Sequence, residues 1–230
     1  MSGADLFDRY ARDYDEALAK AISPSGETRE YFAEGRVAWL ERCLGAIRAK
    51  PCVLLDYGCG DGLATPLLLV GLGADSATGV DVSKQSIEIA RRRPPRSGLS
   101  YFTVSEFDAS ETMDLAYCKG VFHHIEPEDR SSALGFIRRA LKMHGFFSFW
   151  ENNPWNPATR YVMHRCEFDR DAKPLTPAIS RRMLRENGFE VLRTDYRFVF
   201  PHALRVFRRA EDLVYRLPFG AQYQVLCRKR

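Results

Sequence analysis

The sequence predicts an α/β protein built on a doubly wound, mostly parallel sheet. From residue 51 onward, short apolar runs alternate with segments of helical periodicity, which is typical of βα units. A glycine-rich turn directly follows the first apolar run and leads into a helical pattern. The first fifty residues show helical spacing, and no internal repeat interrupts the chain. We therefore expect a single domain with a helical N-terminal extension.

The predicted elements alternate along the chain. Apolar runs predict seven strands at residues 53–56, 77–82, 101–104, 115–118, 146–150, 190–200 and 222–227. Helical spacing predicts helices at residues 6–18, 31–47, 63–72, 84–93, 127–142, 176–187 and 203–217. Ser83 and Thr176 are expected as N-caps, and Gly188 as a helix stop. Four prolines between residues 152 and 177 predict a long loop or lid there instead of regular sheet.

Composition places the chain among ordinary globular proteins. It has 230 residues, 34 Lys and Arg against 30 Asp and Glu, and a formal charge of +4. This small imbalance predicts neither a polybasic arm nor a disordered chain, so we expect no nucleic-acid partner. The longest apolar stretch, residues 66–74, is half as long as a bilayer-spanning helix requires. The charged N-terminus lacks the apolar segment of a signal peptide, and the sequence predicts a cytoplasmic protein.

Cysteine and histidine spacing predicts no metal site. The six cysteines form no Cys-x-x-Cys pair, and the sequence contains no His-Glu-x-x-His motif. Buried, reduced thiols are the expected state of these cysteines.

The glycine-rich turn is the strongest functional motif. It reads Asp56-Tyr-Gly58-Cys-Gly60-Asp-Gly62, between a predicted strand and a predicted helix. A dinucleotide fingerprint would require glycine where Leu63 and Thr65 stand, and no Gly-Lys-Ser/Thr follows to make a P-loop. Asp81, at the end of the second strand, can accept hydrogen bonds from two ribose hydroxyls. These features favour a nucleoside without a pyrophosphate, with Asp56 available to bind an ammonium group.

These motifs resemble those of the class I S-adenosylmethionine-dependent methyltransferases. VLLDYGCGDG resembles the first family motif, and GVDVS resembles the second. Three later segments are similar in the family's order: DLAYCKGVFHHI, HHIEPEDRSSALGFIRRALKMHGFFSFWENN and AQYQVLCRKR. Residues 151–157 resemble the Glu-x-Asn-Pro-x-Asn-Pro segment of a bacterial small-molecule subset, some of which are associated with saccharide or lipid-linked substrates. The resemblance implies a Rossmann-like, seven-stranded sheet whose last strand is antiparallel.

The resemblance also implies which residues hold S-adenosylmethionine. Those expected to bind it are Tyr14, Asp56, Tyr57, Gly58, Cys59, Gly60, Gly62, Asp81, Val82 and Lys119, with the adenine contact among Ser105, Glu106 and Phe107. Residues 1–50 would form a helical lid, in which Tyr10 and Tyr14 close over the methionine end or pack as core residues. Residues 51–151 would form the cofactor-binding core, 152–176 the acceptor loop, and 177–230 the C-terminal helices and strands. The expected product of the cofactor is S-adenosylhomocysteine.

Catalysis by such an enzyme depends on its acceptor. A methyl group on a sulfonium is transferred by in-line attack, so positioning and exclusion of water supply much of the rate. A hydroxyl acceptor must also lose a proton. His123 or His124, after the fourth strand, can serve as the base or can pack under the site instead. Glu151 and Asn152 complete the candidate catalytic cluster.

Several alternatives stay open for acceptor and function. Asn152, Asn153 and Trp155 are expected either to recognise the acceptor or only to form Asn-Pro turns. We expect methyl transfer to a small molecule, with oxygen preferred over nitrogen or carbon. The alternatives are a non-catalytic nucleoside-binding module and an NAD-dependent oxidoreductase, which Leu63 and Thr65 disfavour.

Two arginine-rich segments suggest further partners. Residues 91–93 and 203–217 could mark a surface for anionic lipid or nucleic acid. A solvated helix face is favoured over both, because the second segment also contains Glu211 and Asp212. Weak peripheral contact with a membrane stays open, as does the oligomeric state.

Overall fold

The computed structural model describes residues 14–166 and 172–230 of the chain. Its strands are β1 (Val53–Tyr57), β2 (Ser76–Asp81), β3 (Leu99–Thr103), β4 (Met113–Lys119), β5 (Leu141–Asn152), β6 (Phe189–Arg197) and β7 (Gln222–Lys229). They form one sheet in the order β3-β2-β1-β4-β5-β7-β6. Neighbours run parallel from β3 to β5, whereas β7 is antiparallel to both β5 and β6. This topology confirms the predicted doubly wound, seven-stranded sheet with an antiparallel last strand.

Helices flank the sheet and precede it. The described α-helices are α1 (Tyr14–Ile22), α2 (Arg29–Ala46), α3 (Ala64–Gly71), α4 (Lys84–Arg91), α5 (Arg130–Ala140), α6 (Pro157–Arg165), α7 (Pro177–Glu186) and α8 (Glu211–Val214). Two 3-10 helices cover Ser23–Ser25 and His202–Ala210. The helices α1 and α2 form the predicted N-terminal extension. The part of the first predicted helix before Tyr14, with Tyr10, lies outside the described residues.

The predicted helix ends are confirmed by their hydrogen bonds. The Ser83 hydroxyl accepts from the N–H of Ser86 at 3.1 Å, and the Thr176 hydroxyl accepts from the N–H of Ile179 at 3.3 Å. Gly188 follows α7 with a φ of 85°, a left-handed conformation that ends a helix. Other bounds differ from the predicted ones by a few residues, most of all in β5, which begins at Leu141.

The expectation of a loop over residues 152–176 is wrong in part, because α6 lies within it. Pro157 occupies the first turn of α6, where its missing N–H loses no helical hydrogen bond. The Asn156 side chain accepts from the N–H of Thr159 at 3.0 Å and caps the helix. An Asn-Pro pair can thus begin a helix as well as form a turn.

The single helix expected at residues 203–217 is also wrong. The structure has a 3-10 helix, His202–Ala210, with non-helical backbone at Leu204, followed by the short α8. The 3-10 helix has no buried residue. Because most helical stability in proteins comes from packing an apolar face, this segment lacks what would favour a regular helix.

Alternate side chains of each strand lie on opposite faces of the sheet, and each face has its own core. The strand residues that pack with α2 and α3 include Leu54, Leu115, Tyr117, Trp150 and Leu226. Those that pack with α5 and α7 include Leu55, Ala116, Phe147, Phe149 and Val225. Counting along each strand therefore places Asp56, Lys119 and Asn152 on the α2 side, and Tyr57 and Glu151 on the α5 side.

No helix within residues 14–166 and 172–230 combines the length and hydropathy that crossing a membrane requires. Over the same residues, no group of three or more His, Cys, Asp or Glu side chains is arranged to hold a metal ion.

Candidate active site

Three glycines in left-handed conformations shape the turn between β1 and α3. Gly58, Gly60 and Gly62 have φ of 73°, 54° and 77°. The N–H of Gly58 donates to the carbonyl of Val80 on β2, at 2.8 Å. A Cβ on Gly58 would lie 2.2 Å from Cγ2 of Val121. Glycine is therefore required where this turn approaches both β2 and the loop after β4.

Asp81 ends β2 and holds the same turn through its carboxylate. One oxygen accepts from the N–H of Gly60 at 2.9 Å, and the other accepts from the N–H of Ser83 at 2.9 Å. Val82, the next residue, exposes its side chain to solvent. A fixed carboxylate at the end of β2 suits the hydroxyl groups of a ribose, and an apolar side chain beside it suits a flat base.

Asp56 lies beneath the turn and is almost fully buried. Its carboxylate accepts from the hydroxyl of Thr65 at 2.8 Å. Burial raises the pKa of Asp56 to about 7 against the opposing effect of the Thr65 hydrogen bond, and the charge of Asp81 raises it as well. A cationic group entering the cavity would favour the ionised carboxylate, so Asp56 suits a ligand ammonium group.

Arg36 brings a positive charge to the same cavity. It is 6% exposed and lies on the buried face of α2. Its Nε donates to the hydroxyl of Tyr117 at 2.9 Å, and its Nη1 donates to the side-chain oxygen of Gln222 at 3.0 Å. Burial raises the pKa of Tyr117 to about 12, so both partners are neutral. Because no carboxylate of the described residues forms an ion pair with Arg36, its guanidinium suits an anionic ligand group.

His123 and Glu151 form a buried pair where β4 and β5 end. Nδ1 of His123 lies 2.5 Å from Oε2 of Glu151, and the two residues are 3% and 1% exposed. The other oxygen of Glu151 accepts from the N–H of Phe122 at 3.0 Å. The ring of His124 lies against that of His123, with their centroids 4.1 Å apart. Since a carboxylate only accepts, Nδ1 of His123 carries the proton and Nε2 is the basic nitrogen.

A cavity of about 340 Å³ is lined by the glycine turn, Asp56, Arg36 and His123, whereas Asp81 and Glu151 lie behind this lining. The glycine turn and the ends of β4 and β5 form its polar floor. Side chains of α1, α2, α6 and the segment after β6 form apolar and aromatic walls, among them Ile22, Tyr31, Phe32, Tyr161, Phe198 and Phe200. This volume lies within the usual range for small-molecule sites.

Comparison with known proteins agrees with this geometry. Residues 55–149 match the family model of a methyltransferase domain. Over 115 residues the chain is 39% identical to a ribosomal protein L11 methyltransferase of Dechloromonas aromatica. The aligned region covers 45% of this chain and 37% of that protein. The chain spans about a third of the length of the curated relatives it matches.

Solved structures share the fold over nearly the whole chain. A Thermotoga maritima structure, described as an S-adenosylmethionine-dependent methyltransferase and possible histamine N-methyltransferase, has a TM-score of 0.67 at 18% identity over 100% of both chains. Magnesium protoporphyrin IX methyltransferase of Synechocystis, with bound S-adenosylhomocysteine, has a TM-score of 0.65 at 17% identity over 99% of this chain and 98% of that one. Residues 55–149 therefore match a methyltransferase domain, and the whole chain has the fold of S-adenosylmethionine-dependent methyltransferases. The resemblance that the sequence motifs predict is thereby confirmed.

The structure brings many of the predicted site residues of this methyltransferase domain together. Those that line the cavity are Asp56, Gly58, Cys59, Gly60, Lys119, His123, His124 and Asn152. Glu151 joins them through His123. Tyr57 lies on the opposite face of the sheet, where its ring packs against Phe136. Gly62 supports the turn instead, because a Cβ there would meet Ala90 and Tyr101 at 2.9 Å.

The residues expected near adenine follow β2 and β3, beyond the lining of this cavity. Glu106 accepts from the N–H of Thr103 at 2.8 Å, and the hydroxyl of Ser105 lies 3.0 Å from that of Thr103. Phe107 packs against Phe136. Contact of these residues with adenine stays a prediction. So does the role of Tyr14, whose side chain lies outside the described part of α1.

Residues of the Asn-Pro segment have two roles: some hold the fold together and others line the cavity. Asn153 is buried, and its side-chain nitrogen donates to the carbonyls of Pro218 and Gly220 at 3.0 and 2.8 Å. Its contacts favour the turn-forming interpretation over acceptor recognition. Trp155 is exposed, whereas Asn152 and Asn156 line the cavity.

Sequence reasoning missed Arg36, Tyr117 and Gln222. Arg36 stands four residues after Phe32 and four before Leu40, so helical spacing places this charge on the apolar face of α2. Tyr117 lies two residues before Lys119 and therefore on the same face of β4. The position of the charged residue Arg36 on an apolar helix face could have indicated that it lies at a functional site.

Proposed function

We propose that this protein transfers the methyl group of S-adenosylmethionine to a hydroxyl oxygen of a small-molecule acceptor. The observation that carries the proposal is the buried His123–Glu151 pair, whose imidazole lines the cavity. A hydroxyl acceptor loses a proton during transfer, so it benefits most from a base held in a fixed orientation. Transfer to nitrogen or carbon, or ligand binding without chemistry, makes less use of this pair.

The charged groups of the cavity floor and of the adjoining end of β2 complement those of S-adenosylmethionine. Asp81 would accept hydrogen bonds from the ribose hydroxyls, and Val82 would contact the adenine. Asp56 and Arg36 place opposite charges in one cavity, which complements the ammonium and the carboxylate of an amino-acid tail. When bound, the cofactor supplies an electrophilic methyl group on its sulfonium.

The protein itself would contribute three things to methyl transfer: a general base, a partner that orients this base, and walls that exclude water. Glu151 holds the Nδ1–H of His123, so Nε2 is the atom that takes the acceptor proton. Asn152 offers an amide group that would orient the acceptor. The aromatic walls limit the entry of water and favour a flat or apolar acceptor skeleton.

The predicted lid and acceptor loop would close the cavity from above. The helices α1 and α6 pack on each other through Leu18, Ala21 and Val162, and both contribute to the walls. We therefore propose residues 1–50 as the lid and 152–176 as the acceptor loop of one domain. The names of the relatives refer to a ribosomal protein and to a magnesium porphyrin, and we propose neither as the acceptor here. The proposed location is the cytosol, as free cysteines favour.

The first experiment measures cofactor binding. Calorimetric titration with S-adenosylmethionine and S-adenosylhomocysteine is expected to show binding to the wild type. Asp81→Ala is expected to weaken it by about 1 to 3 kcal/mol, as for a lost polar contact. Asp75→Ala, one residue before the opposite end of β2, is the matched control and should bind normally. Circular dichroism of each variant shows that it is folded, and failure of folded wild type to bind either ligand would overturn the proposal.

A second experiment separates chemistry from binding. His123→Gln and Glu151→Gln are expected to lower the turnover of methyl-labelled S-adenosylmethionine with a small-molecule extract by about 10² to 10⁴-fold. Both should keep their affinity for the cofactor. His164→Gln, an exposed histidine, serves as control. Full turnover in His123→Gln would show that His123 only packs under the site.

A further inference from the structure

Residues 201–219, which we name the outer segment, expose an unusual amount of apolar surface. Six of its large apolar side chains are exposed, with 77% for Val206 and 84% for Leu213; the others are Leu204, Phe207, Leu217 and Phe219. The rest of the described chain has its nine exposed apolar side chains scattered over several elements. Exposed apolar side chains concentrated in one segment are typical of an interaction surface.

Two charged side chains of the outer segment, Glu211 and Arg208, are directed inward instead. Glu211 is buried, and its carboxylate accepts from the N–H groups of Phe198, Val199 and Phe200 at 3.3, 3.0 and 3.0 Å. Arg208 forms an ion pair with Glu27. In an ordinary surface helix the apolar face packs inward and the polar face is solvated. In the outer segment large apolar side chains are exposed instead, while the backbone hydrogen bonds of Glu211 and the ion pair of Arg208 hold it to the fold.

The outward side also carries unpaired positive charge. Arg205, Arg209 and Arg216 are exposed and form no ion pair with any residue of the described chain. Asp212, the other acidic residue of the segment, pairs with Arg42 and Arg197. The surface presented to a partner is therefore both apolar and cationic, which is typical of segments that lie at an anionic lipid interface.

The outer segment borders the mouth of the cavity. Its first residue, Pro201, lines the cavity. Near its other end, the Asn156 side chain donates to the carbonyl of Phe219 at 2.7 Å, which ties the segment to the loop that carries Trp155. Trp155 is exposed, and so is Tyr161, which also lines the cavity. Aromatic side chains thus continue the apolar surface around the opening.

We propose that the outer segment docks this protein on an anionic lipid surface, with the mouth of the cavity facing the lipid. A second copy of the chain fits this surface less well. In a twofold dimer the same patch would face itself, and Arg205, Arg209 and Arg216 would meet their own positive charges. Phosphate headgroups supply the opposite charge, and the acyl boundary accepts Val206 and Leu213.

The test is flotation of the full-length protein with vesicles. Vesicles of phosphatidylcholine mixed with phosphatidylglycerol are expected to retain the protein at low salt, and vesicles of phosphatidylcholine alone to retain much less. Raising the salt concentration should release it, because screening weakens attraction between exposed charges. Absence of retention on the anionic vesicles at low salt would overturn the proposal.

Matched variants show whether the outer segment is responsible. Arg205→Gln with Arg209→Gln is expected to lower partitioning about thirtyfold, since each arginine at an anionic surface contributes roughly fivefold. Val206→Ser with Leu213→Ser should also release the protein. The controls are Arg138→Gln with Arg139→Gln on α5, and Val70→Ser with Met143→Ser, which are exposed elsewhere. Equal losses in the controls would contradict the assignment.

Light scattering and cofactor titration complete the test. A dimer that Val206→Ser with Leu213→Ser dissociates, without retention on vesicles, would assign the surface to a second copy. Cofactor binding should be the same in these variants as in the wild type, because none of the substituted residues lines the cavity. Vesicle retention does not depend on methyl transfer, so docking and the proposed activity can fail separately.

Discussion

The glycine turn and the outer segment border one cavity, yet they use burial in opposite ways. At the turn, Asp56 is buried with its polar partner Thr65 nine residues away, and the fold follows from local pattern. In the outer segment, Glu211 is buried while Leu213 is 84% exposed. Hydrogen bonds between buried groups therefore stabilise the turn above a buried strand, whereas hydrogen bonds and ion pairs hold the outer segment although its large apolar side chains are exposed. The comparison teaches that the two ends of the site tolerate different substitutions.

The sharpest way to break the turn is Gly58→Ala. Its left-handed φ of 73° costs alanine about 1 to 2 kcal/mol. The added Cβ would overlap Cγ2 of Val121, which adds about 1 to 3 kcal/mol as overpacking. We expect the free energy of unfolding to fall by about 2 to 5 kcal/mol in denaturant titration.

Gly73→Ala is the control that separates the cost of backbone strain from the cost of steric overlap with a neighbouring side chain. Gly73 has a φ of 61°, but no heavy atom lies within 4 Å of its added Cβ. This variant should lose only about 1 to 2 kcal/mol. Equal losses in Gly58→Ala and Gly73→Ala would show that the turn does not depend on close packing against Val121.

The second prediction concerns the pH dependence that Asp56 gives to stability. Its pKa in the fold is about 7, above the ordinary aspartate value, so the folded protein keeps a proton that the unfolded chain releases. Stability from this residue is complete below about pH 4 and is lost as pH rises to about 7. The loss is of the order of 1.4 kcal/mol for each pH unit of that interval. Asp56→Asn should abolish this pH dependence of the free energy of unfolding, as measured by urea titration at several pH values.

Thr65→Val provides the matched comparison for Asp56. The Thr65 hydroxyl stabilises the ionised carboxylate, so its loss should raise the pKa of Asp56 and move the pH interval upward. A pH dependence that neither variant alters would mean that Asp56 does not titrate in this range.

Much of the fold could be predicted from the sequence because burial follows simple periods. The apolar runs before Asp56 and Asp81 predicted β1 and β2, and Ser83 predicted the start of α4. The prediction was wrong where one sequence pattern is compatible with two local structures. Asn156-Pro157 begins α6 instead of continuing a loop, and residues 203–217 have helical spacing but leave their large apolar side chains exposed.

The candidate site could be predicted only in part. His123 follows β4 and Glu151 lies at the end of β5. Because parallel strands end at one edge of a sheet, the contact between these two residues could be predicted from the sequence. Arg36 bonds to Tyr117 and Gln222, which stand 81 and 186 residues further along the chain. Such contacts depend on how α2 crosses the sheet, and no local period encodes that placement.

The third prediction tests what holds the outer segment. Glu211→Gln keeps the size of the side chain but replaces one accepting oxygen by an amide that donates. That amide would face the N–H groups of Val199 or Phe198. We expect a loss of about 1 to 3 kcal/mol, seen as faster hydrogen exchange of these backbone amides. Asp212→Asn, on a half-exposed neighbour, should lose no more than about 1 kcal/mol.

The smallest expected effect comes from Leu213→Ser. Because Leu213 is 84% exposed, the folded state hardly buries it, and the free energy of unfolding should change by no more than about 0.5 kcal/mol. Leu184→Ser, the same substitution at a fully buried position of α7, should lose about 2 to 5 kcal/mol. Denaturant titration of both variants measures the contrast directly. A loss at Leu213 comparable to that at Leu184 would mean that the outer segment packs its apolar side chains inward in solution, and the lipid surface we propose would then have nothing to bind.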